Sequence, residues 1–184
     1  MGPSALFCAS RGRRAGRGTP FDDEDNEDVS KTEFLADVRA ARAELQDILG
    51  WLDERTLSEA QLPELNWTAK DVLSHLIGYD LAILGALKDI RAGRQFTWGW
   101  TYPDFDPWNE SNVSPRRGRP FVAVLTELKT SRTALLRELE GWPEPSGPFG
   151  LDSWDLTKSE ISWLGPHERE HAKTIAKLGA TAAS

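Results

Sequence analysis

The sequence predicts an all-α protein, a four-helix bundle. Three observations lead there. Four segments repeat apolar residues at the helical period, and no segment alternates apolar and polar residues as a half-buried strand does. The chain has 184 residues, a length that suits one domain with a single buried core.

Helix one is predicted over residues 31–52. Ser30-Lys-Thr-Glu33 fits a capping box, and Phe34, Val38, Ala41, Leu45, Ile48, Leu49 and Leu52 follow at helical spacing. Helix two opens at Trp67-Thr68, where Thr68 can cap and Asp71 stands three residues on. Val72, Leu76, Tyr79, Ile83, Leu87 and Ile90 mark its buried side, and Gly93 stops it. Residues 95–120 read as a loop-rich stretch, "QFTWGWTYPDFDPWNESNVSPRRGRP", with three Trp, one Tyr and two Phe. Helix three is predicted over 120–140. Pro120 stands at its start, where proline is preferred, and Arg132 breaks its apolar stripe of Phe121, Val122, Leu125, Leu128, Leu135, Leu136 and Leu139. Helix four is predicted over 157–178, with a kink or restart at Gly165-Pro166. Ile161, Leu164, His167, His171, Ile175 and Leu178 share its inner face. Four amphipathic helices then close around one core.

Residues 1–28 are read as a disordered charged extension. "SRGRRAGRGTP" is basic and "DDEDNED" is acidic, and such blocks bury too little to offset chain entropy. The folded domain is assigned to residues 29–184.

Composition sets the remaining bounds. The hydrophobic fraction is 39% with no long apolar run, so no membrane partner is expected. The net charge of −7 argues against nucleic acid, because phosphate binding needs a basic face. The single cysteine, Cys8, lies in the polar N-terminal region. It leaves no disulfide within one chain and no cysteine nucleophile in the core, a pattern that suits the cytoplasm.

The chain has three histidines, His75, His167 and His171, and all three fall on predicted inward faces. His167 and His171 lie about 40° apart around their helix, so the pair can clamp one ion. His75 from a facing helix completes three nitrogens. Three protein ligands with an open position is the arrangement of a catalytic metal site. Imidazole suits zinc, nickel, iron and copper, with zinc or nickel expected. The segment "HEREH" also fits the zinc-protease signature H-E-x-x-H, but such proteases take their third ligand downstream of the motif, where this chain has no histidine. A hydrogen-bonded polar core is the competing reading of the three rings.

Carboxylates near such an ion are candidate general acids or bases. Glu168 and Glu170 flank the histidine face, each about 80° from its centre, and Glu110 lies in the aromatic stretch. Trp98, Trp100 and Trp108, with Asn109, are candidate pocket walls for a flat ligand; the same aromatics could instead plug the bundle's open end. Tyr79, one turn beyond His75, is a core residue or a hydroxyl donor to the site. Asp71 is read as a capping carboxylate, with the orientation of His75 as its alternative role.

These motifs resemble the DinB/YfiT-like superfamily. "NWTAKDVLSHLIGYDLAIL" is similar to its second helix and "HEREHAKTI" to its last. "WNESN" and "RPFVAVLTELKTSRTALLREL" are similar to the third-helix region of the ClbS/DfsB-like branch, related to colibactin self-resistance. The resemblance spans residues 30–180. It implies an up-down-down-up four-helix bundle with a divalent metal held by His75, His167 and His171. It also implies a small-molecule substrate and a role among thiol-dependent transferases, isomerases, hydrolases or resistance proteins, with a low-molecular-weight thiol as a candidate cosubstrate and a homodimer left open. The ClbS-like branch is associated with opening a reactive cyclopropane. The charged N-terminal extension, Pro115 and Pro166 depart from the pattern.

Three functions compete. One is a metal-dependent enzyme acting on a small electrophile by hydrolysis or thiol transfer, in self-resistance or detoxification. Another is a protein that binds and sequesters such a molecule without turnover. The third is a pure scaffold whose histidines are vestigial.

Overall fold

The computed structural model describes residues 30–94, 105–142, 161 and 163–182. The expected extension over 1–28 lies outside the described residues, as do Trp98 and Trp100.

Four long helices build the bundle: α1 (Lys31–Gly50), α3 (Ala69–Arg91), α5 (Phe121–Glu140) and α6 (Leu164–Ala182). The first begins where the sequence expects it. Ser30 and Glu33 form the reciprocal capping box, which satisfies backbone donors that a helix start otherwise leaves bare. Thr68 and Asp71 do the same for α3, so Asp71 takes the capping role.

Three local elements depart from the sequence reading. A short helix, α2 (Glu54–Glu59), and a two-residue antiparallel pair, β1 (Gln61–Leu62) with β2 (Trp67–Thr68), join α1 to α3. The absence of strand is therefore corrected, although two-residue strands are too short to carry an alternating pattern. Asn66 turns this hairpin at φ 54°, in the left-handed region that asparagine tolerates better than most residues. The stretch read as loop also holds a helix, α4 (Asp106–Arg117), with Pro107 in its first turn and Pro115 near its end. The expected start of the last helix at residue 157 lies outside the described residues, and the described part of α6 runs from Leu164 to Ala182. Pro166 thus falls in a first turn, where a missing N–H costs no helical bond.

The core comes in two clusters, and their membership fixes the topology. One joins the first half of α1 (Phe34, Leu35, Val38) to the last half of α3 (Ile83, Leu84, Leu87), the end of α5 (Leu135, Leu139) and the start of α6 (Leu164). The other joins Leu45 and Leu49 to Val72, Leu76, Val124, Leu128, Ala172 and Ile175. Hence α1 and α6 run one way and α3 and α5 the other. The bundle is up-down-down-up.

Parallel neighbours cannot be linked by a tight turn. Helix α4 stands between α3 and α5 in the chain and packs against α3. Gly78 permits that approach. A Cβ there would stand 2.5 Å from Asn112 Cγ and 2.8 Å from Asn112 Cβ, closer than atoms can sit.

Between the two apolar clusters lies a layer of buried charge. Each long helix contributes to it: Arg42 from α1, Asp80 from α3, Ser131 and Arg132 from α5, and Glu168 from α6. Arg132 Nη2 lies 2.9 Å from Asp80 Oδ1 and 3.0 Å from Glu168 Oε2. Arg42 pairs with Glu168 at 2.5 Å and with Asp80 at 3.6 Å. Ser131 Oγ donates to Asp80 Oδ2 at 3.0 Å. Several of these contacts are ion pairs by distance without ideal hydrogen-bond angles. Among the described residues, no helix is long and apolar enough to cross a membrane.

Candidate metal centre

The three histidines come together. His75 sits in the second turn of α3, and His167 and His171 project one turn apart from α6. His167 Nε2 lies 3.3 Å from His75 Nε2 and 3.1 Å from His171 Nε2. One ligand atom from each ring falls within 4.8 Å of the others.

Two arguments decide what such a cluster can do. The first is valence. A neutral imidazole offers one N–H and one lone pair, on different nitrogens. Three Nε2 atoms converging on one point therefore cannot all be satisfied by hydrogen bonds to each other. At His167, one nitrogen would have to serve two partners in different directions. A cation accepts all three lone pairs at once. The second is distance. Ligands on a tetrahedron about 2.0–2.1 Å from zinc stand about 3.3–3.4 Å apart, close to the two spacings around His167.

Electrostatics agree. Burial holds the His75 and His167 rings well below the ordinary histidine value of 6.5, and proximity to His171 lowers both further. Burial lowers His171 to about 4, against a small opposing pull from Glu170. These shifts keep all three rings neutral at pH 7.

Aromatic rings surround the triad. Trp67, placed by the β1–β2 hairpin, has its ring 5.3 Å from that of His75. Tyr79 presents its ring to His75 at 4.8 Å and to His167 at 5.1 Å. Trp163 meets His167 at 5.3 Å, and Trp108 covers Tyr79 at 4.6 Å. The three tryptophans are half-buried and Tyr79 is buried. Such a rim limits the access of bulk water to the histidine nitrogens.

The expected carboxylates are placed elsewhere. Glu168 follows His167 in sequence, yet its side chain enters the buried charge layer and is held by Arg42 and Arg132. Glu170 faces solvent and pairs with Lys173 at 2.6 Å. Glu110 is exposed and is held by Arg117 at 2.6 Å. The structure brings none of the three to the converging nitrogens as an unengaged base. Asn109 is buried beside His75. Of the aromatic stretch, Trp108 meets Tyr79, which in turn meets His75 and His167.

The sequence reading missed Trp67 and Trp163 as wall residues. It missed the charge layer as well, although the signal was present. Arg42 and Asp80 interrupt apolar faces of α1 and α3 just as Arg132 interrupts that of α5.

Residues 32–159 match the family described as the mycothiol maleylpyruvate isomerase N-terminal domain, a stretch that includes His75 and ends before His167. No curated protein matches the chain at a significant level. Among solved structures, the chain is similar to the colibactin self-resistance protein ClbS in complex with a dsDNA. That likeness has 15% identity and a TM-score of 0.70, over 82% of this chain and 95% of that one. It is also similar to an uncharacterised protein from Escherichia coli UTI89, at 12% identity and a TM-score of 0.72, over 84% of this chain and 95% of that one. The first of these corrects the exclusion of nucleic acid. A protein of this fold was crystallised with a DNA duplex, so an acidic net charge does not exclude such a partner; binding depends on local charge, not on the total. The domain match, the up-down-down-up bundle and the histidine and tryptophan motifs agree: the chain belongs to the mycothiol maleylpyruvate isomerase N-terminal domain family, within the DinB/YfiT-like superfamily.

Proposed function

We propose that this protein binds a divalent metal, zinc or nickel, through His75, His167 and His171, and acts there on a small electrophilic molecule. The reaction is hydrolysis or transfer to a low-molecular-weight thiol. The observation that carries this reading is the convergence of three neutral imidazoles, with the Nε2 atoms of His75 and His171 3.3 and 3.1 Å from that of His167. When bound, the ion would supply Lewis acidity toward a substrate oxygen, a water or a thiol. The chain's own contribution is to hold three uncharged ligands, so that the ion keeps its full positive charge. Trp67, Trp108, Trp163 and Tyr79 provide apolar surface against which a flat or unsaturated substrate packs.

Elemental analysis of tag-free protein, loaded with zinc or nickel and desalted, tests the site. One ion per chain is expected. It should be lost in His75→Ala, His167→Ala and His171→Ala while the helical spectrum is kept. Wild-type protein that retains no ion would overturn the metal reading.

The alternative is sequestration without turnover, in the manner of a resistance protein that holds its toxic ligand. Incubation with an epoxide or cyclopropane electrophile, with and without a small thiol, separates the two. Catalytic turnover supports the enzyme, and stoichiometric binding alone supports the sequestering protein.

A second reading concerns duplex DNA. The ends of α3 and α4 bring Lys70, Arg116, Arg117 and Arg119 together, with Lys70 Nζ donating to the Arg117 and Arg119 carbonyls. These cations are partly neutralised by Asp71, Glu110 and Glu127. Fluorescence anisotropy with a labelled duplex at low salt tests it. Binding that weakens in an Arg117→Ala, Arg119→Ala variant supports the reading, and no binding at 20 μM protein rejects it.

A further inference from the structure

Helix α4 lies on the flank of the bundle and is mostly exposed, yet it buries two side chains, Asn109 and Val113. A buried valine there is ordinary packing. A buried asparagine is not, because an amide removed from water without partners costs about 1–3 kcal/mol.

The partner it faces is His75. Asn109 Oδ1 and His75 Nδ1 are both fully buried, and neither has a hydrogen bond of good geometry among the described residues. They are nevertheless near enough for the Asn109 side chain to favour a proton on the ring. Two orphaned atoms on helices that pack against each other, one an acceptor and one able to carry hydrogen, can satisfy each other by a small rotation.

We propose that Asn109 is the positioning residue for His75: its side-chain oxygen accepts the Nδ1–H of the ring and so leaves the Nε2 lone pair directed at the point where His167 and His171 converge. The inference rests on the metal reading of the triad. An imidazole that ligates through Nε2 must carry its proton on Nδ1, and that proton needs an acceptor. With the amide turned the other way, its NH₂ would donate to Nδ1. The ring proton would then sit on Nε2, pointed at His167, and ligation would be blocked.

The fold holds the acceptor in place through a sequence feature of α3. Gly78 stands three residues from His75 and lets α4 close to contact through Asn112, one turn beyond Asn109. Access of α4 to α3, the depth of Asn109 and the tautomer of His75 are thus linked through one missing Cβ.

Two measurements test the proposal. In metal-free wild-type protein, long-range ¹H–¹⁵N correlation of the imidazoles should show His75 with its proton on Nδ1. In Asn109→Leu, which keeps the volume and removes the acceptor, that preference should be lost. Zinc competition against a chromophoric chelator should show roughly 10- to 100-fold weaker binding in Asn109→Leu, and Asn109→Asp should restore or exceed the wild-type affinity. A wild-type His75 protonated on Nε2 would overturn the proposal, even if Asn109→Leu fails to fold. So would zinc affinity unchanged by Asn109→Leu. Failure of the metal reading looks different: wild-type protein would bind no zinc, whatever the tautomer of His75.

Discussion

Glu168 and Arg132 meet at 3.0 Å in the middle of the bundle, with side chains 0% and 3% exposed. Glu168 immediately follows His167, yet the two side chains leave α6 in different directions, one into the charge layer and one to the histidine triad. The pairing of Glu168 with Arg132 and Arg42 therefore sets the rotation of α6 that presents His167 and His171 to His75. Burial raises the Glu168 carboxyl above its ordinary range, against the pull of both arginines. The same burial lowers the Arg42 guanidinium, with repulsion from Arg132 adding to it.

Breaking that layer on one side should be costly. Glu168→Leu leaves two buried arginines with only Asp80 to share. A loss of about 3–5 kcal/mol is expected, the usual cost of stranding a buried charge, measured by urea denaturation. A loss under 1 kcal/mol would mean that water reaches the layer freely.

Metal should stabilise the native state by mass action. At a free zinc concentration 100 times the dissociation constant, about 2.7 kcal/mol is expected, read as a rise in melting temperature. His171→Ala should abolish the rise. A rise of the same size in that variant would place the ion elsewhere.

Acid should destabilise the metal-free protein. The folded state holds His171 near 4 against 6.5 for the ordinary ring, so the unfolded chain binds more protons between those values. Stability is then fully present above about pH 6.5 and lost as pH falls toward 4. His75 and His167 are displaced in the same direction and add to the effect. Glu168, displaced upward, opposes it in the carboxylate range. Urea midpoints at pH 7 and pH 5 check the sign: the midpoint should be lower at pH 5, and a higher one would mean that the rings are charged in the fold.

Gly78→Ala should push α4 off α3. The added methyl would overlap Asn112, and overpacking of this kind costs about 1–3 kcal/mol. Zinc affinity should fall as well, through displacement of Asn109. Normal stability with normal zinc binding would show that α4 gives way without disturbing the site.

Trp108→Ala should weaken ligand binding more than it lowers the melting temperature. Its ring is half-buried and covers Tyr79 from the flank, outside both core clusters. Unfolding without a binding defect in the surviving folded fraction would assign Trp108 to the core.

The long helices were legible because burial writes a period into the chain. Val38, Leu45, Val72 and Leu135 stand where an amphipathic face requires them, and the Ser30–Glu33 and Thr68–Asp71 boxes announce their own starts. The triad was legible because all three histidines fall on such faces. Helix α4 was not, since only Asn109 and Val113 are buried on it and two buried positions make no period. The placement of Glu168 was hidden for a related reason. Helical angle alone puts Glu168 and Glu170 symmetrically about the histidine face, and only arginines from α1 and α5, far away in sequence, break the tie.

The side-by-side placement of α1 and α6 also bears on how the protein is made. Arg169 on α6 reaches Asp37 and Glu44 on α1, partners more than a hundred residues earlier in the chain. Contacts this distant in sequence form late, because the intervening loop must close before they return any energy. As the chain leaves the ribosome, α1, α3 and α5 emerge with one long apolar flank uncovered, and His75 waits without its two companions. Docking of α6 closes the flank and delivers His167 and His171 in the same step. A released chain truncated before Leu164 should therefore be both sticky to chaperones and blind to zinc, and extension through Ala182 should remove both properties.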